Sequence, residues 1–266
     1  LRSVLSVNGA GFVRYAYGFP LAVIALVMTF GIVGDGLPAI PWRFWPIIAG
    51  AGVAQILGTL ALLHAFDLRD FAIGTVYAKT EVILVAVVSA VALGESLEPL
   101  GWVAAIVCMV GVAWLAAPDR LLDVLGSARD PAALMGILAA VGIRAASTSM
   151  DGPTWNRALL TLTVMLGIQA LVNAGQLAVT DRAELVKVAR TWRSALPVGI
   201  LSLCGSIGWA VAVTLTNAAK VRTLGQVEIV IAFAISTWTL HERHTRAEYL
   251  ASALVVVGVV GVVVLG

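Results

Sequence analysis

The sequence predicts an all-α polytopic membrane protein, and three observations carry that prediction. Of 266 residues, 60% are hydrophobic and only 12% are charged. Mean hydropathy is +0.98. Apolar runs of about 20 residues, the length that crosses a bilayer as a helix, recur along the whole chain. A soluble domain has about 25% charged residues, so a chain this apolar needs lipid as its solvent. The net charge of +2 is uninformative. No stripe of Lys and Arg is set out for phosphates, which argues against a nucleic-acid partner. Cys108 and Cys204 fall inside apolar runs and read as small core residues, not as a disulfide or metal site.

The spans follow in order. The first, 9–33, is too long for a signal peptide and is interrupted by Arg14. Gly34-Asp35-Gly36, Pro38 and Pro41 break the chain before the second, 44–66. The third, 71–93, holds Lys79 and Glu81 well inside it, and the fourth, 99–117, stops at Pro118-Asp119. The fifth, 131–150, carries Arg144 and ends at Asp151-Gly152-Pro153. In the sixth, 158–180, Gln169 and Asn173 are one turn apart on the same face. Asp181 to Arg193 is the longest polar stretch and reads as a loop. The seventh span is 194–216, the eighth 221–240 with Gln226 and Glu228, and the ninth 247–265. Trp42, Trp45, Trp102, Trp155 and Trp192 sit near span ends, where indoles prefer the headgroup level.

An internal repeat organises these spans. When the sequence is slid so that Glu81 falls on Glu228, Glu95 falls on Glu242, Gly58 on Gly205, Ser89 on Ser236 and Gly111 on Gly258. Residues 55–114 then align without gaps to 202–261. Apolar matches are cheap in such a chain; the paired glutamates are not. The domains expected are a first repeat over 1–117, with four spans, and a second over 131–266, with five. The fifth span opens the second copy, and its partner is expected upstream of Leu1. A repeat of five helices, an odd number, inverts the second copy in the membrane. Inverted repeats build transporters with a site near the midplane.

Two stretches, "AFDLRDFAIGTVYAKTEVILVAVVSAVALGESLEPLGWVAAIVCMVGVAWLA" and "TLTNAAKVRTLGQVEIVIAFAISTWTLHERHTRAEYLASALVVVGVVGVVV", resemble the end of an EamA repeat of the drug/metabolite transporter (DMT) superfamily. The shared pattern is a helix closed by Glu, then a last helix with a central Gly: Glu95 with Gly111, Glu242 with Gly258. The early "FVRYAYGFPLA", with Arg14 and Pro20, is similar to the family's second helix. The resemblance implies ten helices, of which nine are seen here. Many members have proline where this chain has Glu81 and Glu228, so the family assigns those acids no role and physics must.

Glu81 lies about ten residues from one end of its span and twelve from the other, near the bilayer centre at 1.5 Å per residue. An ionised carboxylate there costs about 3 kcal/mol or more. A carboxyl in such a place can carry a proton, bind a cation, or exchange the two. The favoured reading makes Glu81 and Glu228 a proton- or substrate-binding pair; the plainer one keeps them neutral or paired as links between helices. Lys79 is about 200° from Glu81 around the helix and cannot pair with it there. Gln226 takes the position of Lys79 in the second copy, so the site is only roughly symmetric. Arg14 and Arg144 either snorkel or bind an anionic group. Gln169 and Asn173 line a polar path or bond to a neighbouring helix. Gln55 and His64 read as packing or interface groups, and Glu95 and Glu242 as anchors near helix ends, with basic loop residues as partners. His241 and His244 are three apart, not the four of a zincin, so no metal or other cofactor is expected.

The expected function is secondary-active export of a small metabolite by alternating access, proton-coupled, from a multi-pass position in the cell (inner) membrane. Alternatives are an exporter of cationic drugs or lipid-linked solutes, and a non-transporting membrane protein. An enzyme is not expected, because no nucleophile–base spacing is present. Alternating the loops puts Arg2, Arg69, Arg120, Arg129, Arg182, Lys187, Arg190, Arg193, Arg243 and Arg246 on one side, against Arg43, Arg157, Lys220 and Arg222. The positive-inside rule makes the first set cytoplasmic, with the C-terminus outside; the resemblance implies a C-terminus inside.

Overall fold

A computed structural model of the chain describes residues 5–33, 36–68, 81–116, 131–239, 241 and 244–266. Lys79 and Glu242 lie outside the described residues, as do the side chains of His64 and Glu81. Among the described residues all regular structure is helical. The helices are α1 (Val7–Val33), α2 (Phe44–Leu68), α3 (Glu81–Leu93), α4 (Pro99–Ala116), α5 (Pro131–Thr148), α6 (Thr154–Thr180), α7 (Arg182–Arg190), α8 (Trp192–Leu215), α9 (Ala218–Gly225), α10 (Val227–Trp238) and α11 (Arg246–Leu265). Five of them are long and apolar enough to cross a membrane, and in α1, α8 and α11 no more than a third of the apolar window is buried within the protein. The outward faces are themselves apolar (Val27, Leu201, Val257 and Val264 are all over 60% exposed). Such surfaces are stable only against lipid. Trp42, Trp45, Trp155 and Trp192 are exposed at helix ends, as a headgroup belt requires.

Two expectations about elements are corrected. Asp181–Arg193 is not a loop: it contains α7, which the search for apolar spans passed over because the helix is short and polar. Its caps were present in sequence. Asp181 accepts the amide of Glu184, Glu184 stands in the first turn, and Lys187 and Arg190 stand in the last. The eighth span is interrupted. The amide of Gln226 bonds to Thr223 O at 3.0 Å and that of Ile229 to Gln226 O at 3.0 Å, so the ladder tightens to three-residue steps between α9 and α10.

The chain forms two compact units. The first holds residues 1–60 and 142–215, the second 61–141 and 216–266. In the first unit α1 packs against α6 and α8. Thr163 Oγ1 donates to Ala22 O at 3.5 Å, and a Cβ on Gly167 would meet the Phe19 ring. Higher residues in α6 therefore meet lower ones in α1, and the two helices run antiparallel. α7 is latched to the start of α1. Glu184, 1% exposed, accepts the backbone N–H of Ser6 and the ammonium of Lys187 (3.1 Å). Only a glycine at position 9 leaves room for that carboxylate.

The second unit is built on α4 and α11. Gly111 faces the amide of Val255, Gly258 faces the backbone of Cys108, and Gly261 faces Ala104. A Cβ at any of these positions would meet those atoms at sub-van der Waals distance. The pairs run in opposite order, so the two helices are antiparallel with their backbones in close contact. Positions equivalent under the sequence repeat trade partners: Gly111 against Val255, Gly258 against Cys108.

Two measurements follow. Gly258→Ala should lower stability by about 1–3 kcal/mol through overpacking, read as a lower Tm in detergent. Gly205→Ala, with open space around it, should not. Burial pushes the Glu184 carboxyl up, but the N–H of Ser6 and the charge and hydrogen bond of Lys187 outweigh burial and hold it below its ordinary range. A depressed folded value means that the latch stabilises above the unfolded carboxyl pKa of about 4.3 and is lost as pH falls through the folded value. The difference in Tm between the parent and Glu184→Gln should therefore shrink on acidification from about pH 6 to about pH 3.

Candidate functional site

Each unit carries a set of polar groups at mid-span. In the first unit, Gln169 is fully buried, and its Nε2 donates to Gly52 O (3.2 Å) and Gln55 Oε1 (2.7 Å), tying α6 to α2. Asn173 Nδ2 donates to Gln169 O at 2.8 Å. The polar pair expected from sequence is thus brought together, and Gln55 joins it as an interface group. The Gln169 Oε1 is buried without a hydrogen-bond partner. Arg14 is half-buried; its Nη2 donates to Ser206 Oγ on α8 at 3.1 Å, and its Nε is buried without a partner. The antiparallel register of α1 and α6 puts Arg14 at the level of Gln169 and Asn173. Arg14 is held inside the unit at this depth, which snorkelling alone does not explain.

Arg144 resolves differently from either expectation. Its Nη1 donates to the carbonyls of Val213 (3.0 Å) and Thr214 (2.7 Å), the unsatisfied acceptors at the end of α8. A guanidinium is suited to this place, where the helix dipole is negative. The sequence signal for it was faint, since it joins residues far apart in the chain.

In the second unit, Asn217 caps α9 by accepting the amide of Ala219 (2.7 Å) and donates Nδ2 to Glu95 O (2.8 Å). Glu95 therefore anchors α9 through its backbone, just past the turn at Gly94 (φ +69) that ends α3. An Asn directly before a helix is a legible cap, and sequence reasoning missed it. The bond joins the C-terminal end of α3 to the N-terminal end of α9, so the two run in opposite senses. Counted from it, Glu228 lies about 11 residues along one strand of chain and Glu81 about 14 along the other. Their backbones are about 5 Å apart in depth at 1.5 Å per residue.

From Ala218 to Trp238 the interrupted helix is about 30 Å long, a full hydrocarbon thickness. Glu228 is at its middle, in the first turn of α10, and exposed. A helix N-terminus favours negative charge. Gln226, 3% exposed, sits in the break; its Nε2 donates to Arg222 O (3.3 Å) and its Oε1 is buried without a partner. An exposed carboxyl, a buried amide oxygen without a partner and a tightened helix thus coincide at one depth.

The fold, with its antiparallel helices and mid-span polar groups, defines a multi-pass helical membrane protein. The EamA-like transporter family matches residues 132–264, half of the chain. The chain belongs to that family, which consists of membrane transporters of the DMT type, not enzymes. Nineteen chains of solved structures also match. One is a crystal structure of a protein with 17% identity and a TM-score of 0.70, over 98% of this chain and 90% of that one. At that identity the likeness shows the fold alone. No curated protein matches the chain.

Removing the Arg144 cap tests the structural half of this account. Arg144→Ala should cost about 1–3 kcal/mol by leaving buried carbonyls unpaired, and Arg144→Lys should recover part of the lost Tm.

Proposed function

We propose that the chain is a secondary-active, proton-coupled exporter of a small metabolite in the cell (inner) membrane, working by alternating access between two inverted repeats. Glu228 and its repeat equivalent Glu81 are the proton- and substrate-binding carboxyls. The observation that carries this reading is the place of Glu228: mid-span, exposed from its own unit, at the start of a half-helix. Against acyl chains an ionised carboxylate costs about 3 kcal/mol or more, so a polar path is its stable surrounding. The antiparallel exchange of partners between Gly111 and Gly258 supports the inverted repeat.

In the working cycle, loss of a proton from Glu228 leaves a carboxylate that takes the cationic or hydrogen-bond-donating end of the solute. Reprotonation from the other side releases it. Gln226, buried in the break with its Oε1 unpartnered, is the acceptor that would join that contact if the break opens. Lys79, near Glu81 in sequence, provides the positive charge that makes the two halves unlike. In the first unit Arg14 is available to an anionic group, while buried Gln169, with Asn173 a turn away on α6, ties α6 to α2 at its level. A carboxyl that holds either a proton or a cation favours cationic or amphipathic solutes as a second substrate class.

Proton flux in proteoliposomes tests the coupling. An imposed pH gradient should dissipate faster with the parent chain and a transported solute than with Glu228→Gln, whose proton flux should fall to that of empty vesicles. Unchanged coupled flux in both Glu228→Gln and Glu81→Gln removes the role.

A further inference from the structure

The C-terminal helices enclose a second feature that the transport reading does not use. Between α10 and α11 lies a groove of about 250 Å³, walled by Val230, Phe233, Ala234 and Val256, with Trp238 and Tyr249 at its mouth. Ser252 also faces the groove. It is 7% exposed, yet its Oγ is buried with no hydrogen-bond partner. A hydroxyl so placed in an apolar wall is costly unless something supplies the other half of the bond. The second hydroxyl on the wall, Thr237, is already satisfied by Phe233 O at 2.9 Å.

The groove is graded in polarity. Arg246, Tyr249, Ser252 with Ala253, and Val256 follow one another at helical spacing along one face of α11. Arg246 is exposed in the first turn. Trp238 and Tyr249 are 76% and 50% exposed, aromatic side chains at a helix end and thus at headgroup level. Ser252 is about 9 Å deeper than Arg246 along the axis, comparable with the interfacial layer of about 5–7 Å per leaflet. The order from outside inward is cation, aromatic rim, lone hydroxyl, apolar wall. It matches phosphate, glycerol, ester carbonyl and acyl chain.

Among the described residues, the other charges near the mouth are spoken for. Glu248 accepts the amide (2.6 Å) and hydroxyl (3.0 Å) of Thr245 and lies 3.6 Å from His244 Nδ1. His244 meets Ser236 Oγ through Nε2 at 3.1 Å and stacks on Phe233, with centroids 4.2 Å apart. Among the described residues of this segment, Arg246 is the exposed cation, one turn before the groove-lining Tyr249 on α11.

We propose that this groove holds one anionic phospholipid: Arg246 on the phosphate, the Ser252 hydroxyl donating to an ester carbonyl, and an acyl chain along Phe233 and Val256. The site is independent of the carboxyl coupling reading. Native mass spectrometry of the full chain, released from micelles containing equal phosphatidylglycerol and phosphatidylcholine of the same chain length, reads it directly. The parent chain should retain a single phosphatidylglycerol several-fold in excess of phosphatidylcholine. Arg246→Gln, at an exposed position, should bring the ratio to one; Ala253→Trp, filling the groove, should remove the bound lipid. An unaltered Tm and elution volume would show that each variant is folded. Equal retention of the two lipids by the parent overturns the proposal. So does full retention in both variants, or a dimer that excludes lipid, which would assign the groove to a second copy of the chain.

Discussion

Hydrocarbon cannot answer a hydrogen bond, and the rest of the structure follows from that constraint. Every polar group at depth must find its partner within the chain or stand where water or solute reaches it. Most find partners. Arg144 closes the end of α8, Gln169 joins α6 to α2, and Asn217 joins the start of α9 to the end of α3. These contacts are bonds between helices at places where a free donor would cost several kcal/mol. Glu228 also has a partner, and it differs from these groups in being exposed at mid-span, where exposure to lipid is least tolerable.

The second constraint is how closely two helices can approach. Lipid tails give no hydrophobic drive for helices to associate, so backbones must come near enough for dispersion to hold them. Gly111, Gly258 and Gly261 provide this for α4 and α11. Gly111 and Gly258, which fall on each other in the sequence repeat, lie against Val255 and Cys108, positions that the same shift superposes.

Much of this was legible in sequence, for reasons that differ by residue. Apolar runs set by bilayer thickness located the spans, and the family match over residues 132–264 bore out the resemblance read from the Glu-closed stretches. Counting residues put Glu81 near mid-span; on the bounds 221–240 Glu228 was shallower, and it is the earlier start of α9 at Ala218 that centres it. What escaped were features without a long apolar signature. α7 is nine residues long and mostly polar, although Asp181 and Glu184 marked its start. The break at Gln226 has neither Pro nor Gly at its centre; Gly225 just before it was the only cue. The Arg144 cap depends on the carbonyls of Val213 and Thr214, and no local pattern in the chain announces such a contact.

Whether position 228 meets water is the point on which the account turns. The direct measurement is thiol labelling of Glu228→Cys in membranes, in a chain with Cys108 and Cys204 replaced by Ala, using a charged reagent that cannot enter hydrocarbon. The account predicts rapid reaction there and none at Val257→Cys, a position on the outer face of α11. A cysteine at 228 that resists the charged reagent, yet reacts with a lipid-soluble one, would put the residue among acyl chains and contradict the account.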